Sequence, residues 1–484
     1  MNILLAASEV APFAKTGGLA DVAGALPREL HRLGHDVRIF MPLYRCVRER
    51  DFGLSLLIDL PPVEMGGASY SGRLWQGQLQ DVPVYFLEQD DFFDRDGLYG
   101  TSQQDYADNA LRFGFFARAL LAALPKVGFC PKVLHLNDWQ TGLVPALLRS
   151  TRDANPFYAD TATVMTVHNL GYQGLFPAQV VASLALDPDL FTMDGLEYYG
   201  QLSFLKSGVV YADLITTVSE TYCAEIQTPR MGHGFDGILR ARADRLLGVL
   251  NGIDEQLWDP QHDPALIYPY SAADLSGKSA NKQQLQKELG LTVDPDVPML
   301  AMVTRLASQK GLDLVELAWD ALLKRGVQLV ILGSGDKKIM DRIEHLGSLN
   351  PDQVAVRLAF DDRLARLIYA GSDMFLMPSH YEPCGLGQLI ALRYGSVPVV
   401  RKTGGLADTV FDPQDKAEQA NGFTFSQVSV PAMLSAIDRA LVMYRVPEKW
   451  LQLVKAGMQG DFSWRQSALR YVDFYQKAVE VHHE

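Results

Sequence analysis

Short apolar runs recur along this chain, and most are followed by a polar or glycine-rich turn and then by a helical pattern. The first run, Ile3–Ala7, leads through Gly17 and Gly18 into an amphipathic stretch at about Leu19–Leu33 and then into Val37–Met41. A strand, a crossover helix and a second strand make up the β-α-β unit of a parallel sheet. The opening segment therefore predicts two neighbouring strands of such a sheet.

The same alternation continues through both halves of the chain. Apolar runs in the first half predict four more strands, at Val82–Leu87, Val133–Leu136, Thr163–Val167 and Leu214–Val218. Runs in the second half predict five, at Met299–Val303, Val327–Leu332, Val354–Leu358, Met374–Met377 and Val397–Val400. Helical patterns lie between these runs, including Tyr106–Leu124, Thr141–Arg149, Leu202–Tyr211, Leu312–Lys324 and Leu364–Ala370. This alternation is typical of doubly wound parallel sheets.

The length of the chain, 484 residues, exceeds what a single hydrophobic core usually supports. A polar, proline-punctuated stretch begins near residue 248, so we expect two Rossmann-like domains at 1–247 and 248–460. The last segment, 461–484, contains a long amphipathic pattern at Trp464–Val481 that could dock back on the first domain. In Rossmann-like sheets ligands bind at the carboxyl ends of the strands, so the informative residues should follow the strands.

Charge and cysteine content narrow the classes of partner and compartment. The net charge is −13 and no basic run is present, which disfavours nucleic acid or an anionic membrane as the main partner but not a neutral polysaccharide. The four cysteines match no zinc spacing and suit a reducing compartment, so we expect a cytoplasmic protein. No apolar stretch is long enough to span a membrane. No metal-binding motif is evident.

The heptapeptide Lys-Thr-Gly-Gly-Leu-Ala-Asp occurs twice, at Lys15–Asp21 and at Lys402–Asp408. Paired glycines before a helix allow close backbone approach, and a helix N-terminus attracts anions. Two copies in different halves therefore suggest two similar walls around one anionic ligand. Coincidental glycine-rich turns are the alternative.

Polar residues follow the predicted strands of the first half. Asp138 comes after Val133–Leu136, and His168 and Asn169 come directly after Thr163–Val167. Asp138 could cap the following helix, and His168 could be a hydrogen-bonded core histidine. Their position at strand ends favours a binding face.

The second half repeats this arrangement. Arg305 and Lys310 lie on a loop after Met299–Val303, where a planar guanidinium and a compact ammonium suit a diphosphate, although a solvated loop is the alternative. Glu382 precedes a helix that opens at Gly385–Gly387, and its carboxylate could bind sugar hydroxyls or cap that helix. Cys384 has no evident neighbouring base, so catalysis by its thiol is not expected.

Taken in order, these motifs resemble bacterial glycogen synthases and the related plant starch synthases. The segments that carry the resemblance run from end to end: Lys15–Val22, Asn137–Trp139, Thr166–Leu170, Val249–Asp254, Arg305, Ser308–Asp313, Glu382–Leu386 and Thr403–Asp408. The resemblance implies an α/β GT-B fold, with two Rossmann-like, doubly wound parallel-sheet domains facing across a cleft. It also implies a retaining glycosyltransferase that moves glucose from ADP-glucose to the non-reducing end of an α-1,4-glucan, without a metal or other cofactor.

Individual roles follow from the resemblance. Arg305 and Lys310 would clamp the diphosphate, and Glu382 would position the glucosyl ring. The full set of predicted catalytic residues is Glu382, Arg305, Lys310, His168 and Asp138. The residues predicted to bind ADP-glucose are Lys15, Gly17, Gly18, Asn169, Gly385, Leu386, Gly387, Thr403, Gly404 and Gly405.

Two positions depart from the broader pattern of such enzymes. Ile390 stands where many retaining GT-B enzymes carry a second glutamate, so the ribose must be held in another way. Gly387 stands where relatives often carry threonine or a larger residue, so the side-chain contact that relatives could make at this position is not expected here. No carboxylate nucleophile is evident, which favours front-face attack over a covalent intermediate.

Other functions remain open on the sequence alone. A related GT-B enzyme could use UDP-glucose or another acceptor. A non-catalytic polysaccharide-binding protein would be expected to have a degraded donor site, yet Lys15, Arg305, Lys310 and Glu382 are all present. A glucan phosphorylase would need a pyridoxal-binding lysine, and no segment resembles its surroundings. Oligomeric state, allosteric control and preferred acceptor length are not indicated.

Overall fold

The computed structural model describes residues 1–101, 104–151 and 155–484. The described chain divides into two compact units. The first contains residues 1–218, 223–251 and 464–484, and the second contains residues 219–222 and 252–463. Each unit is built around its own sheet, mainly parallel in the first unit and entirely parallel in the second.

Nine strands form the main sheet of the first unit. The strands of this unit are β1 Asn2–Ala6, β2 Asp36–Pro42, β3 Ser55–Asp59, β4 Val63–Met65, β5 Ala68–Tyr70, β6 Arg73–Leu79, β7 Val82–Glu88, β8 Val133–Asn137, β9 Ala162–Val167, β10 Leu175–Pro177, β11 Glu197–Tyr198, β12 Gln201–Ser203, β13 Leu214–Thr217 and β14 Leu246–Gly248. The main sheet has the order β14-β13-β9-β8-β1-β2-β7-β6-β3. Its pairs are parallel except β6 with β7 and β3 with β6.

The other strands of this unit form two small antiparallel elements, the β4–β5 hairpin and the sheet β10-β12-β11. The helices in the first half of the chain are α1 Gly18–Arg32, α2 Arg45–Arg48, α3 Asp90–Phe93, α4 Asn109–Lys126, α5 Val144–Thr151, α6 Val180–Ser183, α7 Phe204–Tyr211, α8 Glu220–Glu225 and α9 Asp236–Ala241.

Six parallel strands form the sheet of the second unit. They are β15 Met299–Val303, β16 Gln328–Leu332, β17 Val354–Arg357, β18 Met374–Met377, β19 Val397–Arg401 and β20 Phe423–Phe425, in the order β17-β16-β15-β18-β19-β20. The helices of this unit are α10 Ser276–Leu289, α11 Leu312–Leu323, α12 Lys337–Ser348, α13 Asp362–Gly371, α14 Gly387–Arg393, α15 Gly404–Thr409, α16 Val430–Tyr444 and α17 Pro447–Gln459.

The last helix, α18 Trp464–His483, returns to the first unit. Tyr475 of this helix hydrogen-bonds through its hydroxyl to Nδ1 of His135 on β8, at 2.8 Å. Nε2 of the same histidine lies 2.6 Å from the hydroxyl of Thr166 on β9. Burial lowers the pKa of His135 to about 3, so the ring is neutral. A neutral polar network therefore joins the helix to the centre of the first sheet.

In each main sheet the order in which the chain adds strands reverses at one place, and ligands are expected at that place. In the first sheet the chain proceeds from β1 to β2 on one side and from β8 to β9 on the other. In the second sheet it proceeds from β15 to β16 on one side and from β18 to β19 on the other. Ligands of open α/β sheets bind beyond the carboxyl ends of the strands at such a reversal. The loops after β1, β8, β15 and β18 are therefore the candidates.

Two regions differ from the sequence-based prediction. Residues 55–79 contain four strands that the apolar runs did not predict, because most of their side chains are not buried in the core. The polar stretch after residue 248 contains α10, whose buried face includes Asn281, Lys282 and Gln286. Within the described residues no helix is long and apolar enough to cross a membrane.

Candidate functional site

The loop between β1 and α1 carries the first heptapeptide. A Cβ atom built on Gly17 or Gly18 would meet no atom within 4 Å, so the backbone here borders open space. The ammonium of Lys15 is half-exposed and lies 2.7 Å from a carboxylate oxygen of Asp21. The loop thus presents a cation and accessible backbone beside the N-terminus of a 15-residue helix.

Glu9 determines which N–H groups of this loop remain free to bind an anion. Its buried carboxylate accepts hydrogen bonds from the hydroxyl of Thr16 at 2.6 Å, the N–H of Gly17 at 3.2 Å and the hydroxyl of Tyr99 at 2.6 Å. Because the N–H of Gly17 donates to Glu9, only Gly18 of the two glycines keeps an N–H without a partner among the described residues.

Asp138 directly follows β8 in a strained conformation. Its φ of 56° and ψ of −179° lie in a region that is essentially restricted to glycine. Its carboxylate accepts a hydrogen bond from the N–H of His168 at 2.7 Å. Burial of the carboxyl group raises the pKa of Asp138 to about 7, against the opposing effect of the N–H groups of His168 and Asn169. Strain of this kind is found most often at functional sites.

His168 directly follows β9 and is held by Asn137. The amide nitrogen of Asn137 donates to the carbonyl of Ala6, so its amide oxygen accepts from Nε2 of His168, at 2.8 Å. Burial lowers the pKa of His168 to about 3. The imidazole is therefore neutral, with its proton on Nε2. Asn169 accepts from the N–H of Gly171 at 3.0 Å, which shapes the loop that follows.

In the second unit, the loops after β15 and β18 are joined into one cluster. Gly311, with φ of 72°, lies against Pro378, and a Cβ at this position would clash with the carbonyl oxygen of that proline. The N–H of His380 donates to the carbonyl of Gln309 at 2.8 Å, and the amide of Gln309 donates to the carbonyl of Tyr381 at 3.1 Å. These contacts fix the relative positions of the two loops, and so of the side chains that they carry.

Lys310 and Glu382 form a largely buried ion pair. The ammonium lies 2.9 and 2.7 Å from the two carboxylate oxygens. Ser379 also donates its hydroxyl to Glu382, at 3.0 Å. The sequence assigned these residues to different ligand groups, the phosphate and the sugar, and gave no sign that they pair. Each side chain therefore positions the other.

Arg305 is exposed, and its guanidinium has no hydrogen-bond or ion-pair partner among the described residues. An unpaired guanidinium beside a neutralised lysine makes Arg305 the more available cation on this loop. Planar guanidinium groups bind phosphate through two parallel hydrogen bonds. The geometry is suited to an anionic group arriving from solvent.

The second heptapeptide differs physically from the first. A Cβ on Gly404 would clash with the carbonyl oxygen of Glu382, and one on Gly405 would clash with that of Cys384. The N–H of Gly405 donates to the carbonyl of Pro383 at 3.1 Å, and Thr403 is buried. The N–H of Gly405 is therefore not directed to a ligand. This copy supports the loop that carries Glu382.

The loop Gly385–Gly387 is also held by contacts within the protein. The amide of Gln388 donates to the carbonyls of Cys384 and Gly385, both at 3.0 Å. The side chain of Leu386 packs on the core, so a substrate contact there falls to its backbone. A Cβ on Gly387 would lie 3.2 Å from the ring of Phe375, so a larger residue would crowd β18.

Comparison with known proteins identifies the family. The model for the starch synthase catalytic domain matches residues 2–241, and that for glycosyl transferases group 1 matches residues 284–456. A glycogen synthase from Syntrophotalea carbinolica is 78% identical over 483 residues and covers 100% of both chains. One from Geotalea daltonii is 49% identical and covers 98% of both. The chain belongs to the glycogen and starch synthase family.

A solved structure extends this finding to the fold. The catalytic domain of starch synthase IV from Arabidopsis thaliana, bound to ADP and acarbose, matches with a TM-score of 0.92 at 36% identity and covers 99% of both chains. The resemblance seen in the sequence motifs and the GT-B fold are thereby confirmed. As a member of this family the protein is a retaining glycosyltransferase, which is also as expected.

The structure also points to residues that the sequence did not single out. Phe360 follows β17, and its ring is 85% exposed at the carboxyl edge of the second sheet. The available signal was a lone aromatic between a strand and the helix cap Asp361. The sequence shows Glu9 as a polar residue after the first strand, but it does not show the contacts of Glu9 with Thr16 and Tyr99.

Among the described residues, no group of three or more His, Cys, Asp or Glu side chains could hold a metal ion.

Proposed function

We propose that this protein transfers glucose from ADP-glucose to the non-reducing end of an α-1,4-glucan, with retention of configuration. The observation that carries the proposal is 78% identity over full length to a glycogen synthase. The choice of ADP over UDP is supported by the ADP held in the starch synthase IV structure. We place the reaction in the cytoplasm, in keeping with the four cysteines, none of which forms a disulfide in the described chain.

Each unit, taken by itself, presents groups that suit parts of the donor. In the second unit Arg305 offers an unpaired guanidinium to the diphosphate, and Lys310 adds a fixed ammonium. Phe360 offers an exposed aromatic face, on which a nucleobase can stack. In the first unit Lys15 and the N–H of Gly18 are available to phosphate oxygens.

The remaining predicted residues then take backbone or supporting roles. Gly17, Gly404 and Gly405 shape the loops, because the N–H of Gly17 and the Cβ positions of Gly404 and Gly405 are occupied by protein. Thr403 is buried beside them. The backbone of Gly385, Leu386 and Gly387 stays a proposed contact to the sugar, beside Glu382.

The chemical step requires stabilisation of negative charge on the leaving diphosphate as the glucosyl group becomes an oxocarbenium-like species. Preorganised cations are the most effective means in a site that excludes water. Arg305 and Lys310 would supply that charge, and Glu382 would hold the ammonium in place and bind the glucosyl ring. The neutral His168 and the carboxyl of Asp138 would contact the sugar and the acceptor. We favour front-face attack, in which the departing phosphate accepts the proton of the acceptor hydroxyl.

The test is transfer of radiolabelled glucose to glycogen, with ADP-glucose and UDP-glucose compared at equal concentrations. We expect incorporation from ADP-glucose to exceed that from UDP-glucose by at least about tenfold, which corresponds to about 1.4 kcal/mol in transition-state binding. Preference for UDP-glucose would refute the assigned donor. No transfer from either, with glycogen still bound, would favour a polysaccharide-binding protein.

A further inference from the structure

The hairpin β11–β12 carries a tyrosine where the backbone disfavours one. Tyr198 pairs with Gln201, so Tyr199 and Gly200 form a two-residue loop. Both have positive φ, 49° and 79°, as in a type I′ turn. Such turns favour Asn-Gly, because a bulky side chain is strained there. The ring of Tyr199 is 83% exposed, so burial in the core does not offset this strain.

Tyr199 belongs to a small group of aromatic residues. The rings of Tyr198 and Tyr199 are in edge contact, with centroids 4.8 Å apart. The carbonyl of His233 accepts from the hydroxyl of Tyr198 at 3.1 Å and from the amide of Gln173 at 2.9 Å. Tyr172, the residue before Gln173, is also exposed. Tyr172, Tyr198 and Tyr199 are named here the tyrosine patch.

The chemistry of the tyrosine patch suits a neutral sugar polymer. An aromatic face can cover the apolar C–H face of a hexose, while hydroxyl and amide groups beside it bond sugar hydroxyls. Tyrosine supplies such contact area at a small cost in conformational entropy. Exposed aromatics also stack on nucleic acid bases, but the net charge of −13 opposes that polymer.

The position of the patch connects it with the candidate site. His168 and Asn169 directly follow β9, and Tyr172 lies three residues later in the same loop. This loop is held against Trp139, since a Cβ on Gly174 would lie 2.7 Å from the indole ring. Tyr172 therefore lies on a fixed segment of the first unit that follows His168. The carbonyl of His233 joins this segment, through Gln173, to the hairpin that carries Tyr198 and Tyr199.

We propose that the tyrosine patch binds glucosyl units of the acceptor at a distance from the reacting end, and so gives the enzyme a preference for long α-glucans. This inference rests on the proposed function. It assigns Tyr199 to acceptor specificity and gives it no part in the chemical step. The strain at Tyr199 is then retained because the ring contacts the glucan.

The decisive variant is Tyr199→Asn, because asparagine suits the turn and removes the ring. We expect its melting temperature to equal or exceed that of the wild type. With ADP-glucose saturating, we expect KM for glycogen to rise about five- to tenfold, and KM for maltotriose and kcat to stay within about twofold. Tyr199→Phe should keep most of the affinity for glycogen. Tyr268→Ala, which removes an exposed tyrosine of the second unit, serves as the control.

Retardation in native gels that contain glycogen gives a readout independent of turnover. We expect Tyr199→Asn to migrate faster than the wild type and Tyr268→Ala to migrate with it. An active wild type with unchanged KM and retardation in Tyr199→Asn would overturn the inference. Equal rises in KM for glycogen and maltotriose would also overturn it. If the wild type transfers no glucose, the proposed function fails, and the gel alone then decides whether the patch binds glucan.

Discussion

Replacing Lys310 with alanine tests the charge arrangement of the second unit. The ammonium lies 2.7 Å from Glu382, and the two side chains are only 17% and 7% exposed. The substitution leaves Glu382 with Ser379 as its remaining partner among the described residues. Removal of one partner from a buried pair costs about 3–5 kcal/mol. Lys310 keeps some access to water, so we expect the lower value, about 3 kcal/mol.

The expected effect on turnover is of similar size and must be separated from this loss of stability. Loss of one group that stabilises transition-state charge lowers kcat by about 10²- to 10³-fold. Lys282 and Asp373 provide a matched control, because they form a buried pair at 2.6 Å in the same unit. Lys282→Ala should lose stability comparably, yet keep a kcat within about threefold of the wild type.

The measurements are urea unfolding and initial rates, the latter at a temperature at which each variant is fully folded. The double variant Lys310→Ala with Glu382→Gln should regain most of the lost stability, because the amide carries no unpaired charge. It should not regain turnover. A kcat near that of the wild type in Lys310→Ala would exclude Lys310 from charge stabilisation. An equal loss of kcat in Lys282→Ala would show that the effect is structural.

Four further predictions concern single substitutions. Phe360→Ala should raise KM for ADP-glucose about tenfold or more without changing KM for glycogen, measured by initial rates, because base stacking is worth about 1–3 kcal/mol; equal KM values would refute stacking. The pKa of Asp138 is raised in the folded state, so its contribution to stability is full below about pH 4 and is lost as pH rises through about 7. In denaturant titrations, the free energy of unfolding of Asp138→Asn minus that of the wild type should therefore increase between these pH values, by at most about 1.4 kcal/mol per pH unit. A difference that does not change with pH would refute the raised pKa of Asp138. Gly18→Ala should fold normally and bind ADP more weakly, as measured by calorimetry. Gly404→Ala should destabilise the second unit by several kcal/mol in denaturant titrations, since its Cβ would meet the carbonyl of Glu382.

Most parallel strands of the two sheets were predictable because parallel strands are buried on both faces and appear as continuous apolar runs. The three-residue strands β14 and β20 were not predicted. Met299–Val303 and Met374–Met377 match the structure residue for residue. The antiparallel strands within 55–79 lack such runs. Helix α10 was missed because its buried positions are partly polar. Lys282, for example, is satisfied by Asp373, which lies 91 residues away.

The candidate site was predictable as a set of loops but not as a set of contacts. Strand ends located Asp138, His168, Arg305 and Glu382, since the sheet edge at which the chain reverses is a property of the topology. The pairing of Lys310 with Glu382 joins residues 72 positions apart. Such a pairing depends on how two loops pack against each other, so no local sequence pattern predicts it.

The repeated heptapeptide shows that identical sequences can have different surroundings in the fold. In both copies the glycines lie at the start of a helix after a parallel strand. The helix begins at Gly18 in the first copy and one position earlier, at Gly404, in the second, so the local structures are similar but not identical. Around the glycines of the first copy the space is open, and the side chain of Lys15 is half-exposed. Around the second, the backbone of Glu382–Cys384 fills the space that a Cβ would need, and Lys402 pairs with Asp415 at 3.0 Å. Glycine is required in the second copy for packing, and the loop that it supports holds Glu382 against Lys310. The same heptapeptide is therefore an accessible loop in the first unit and, in the second, a packed support for the loop that carries Glu382.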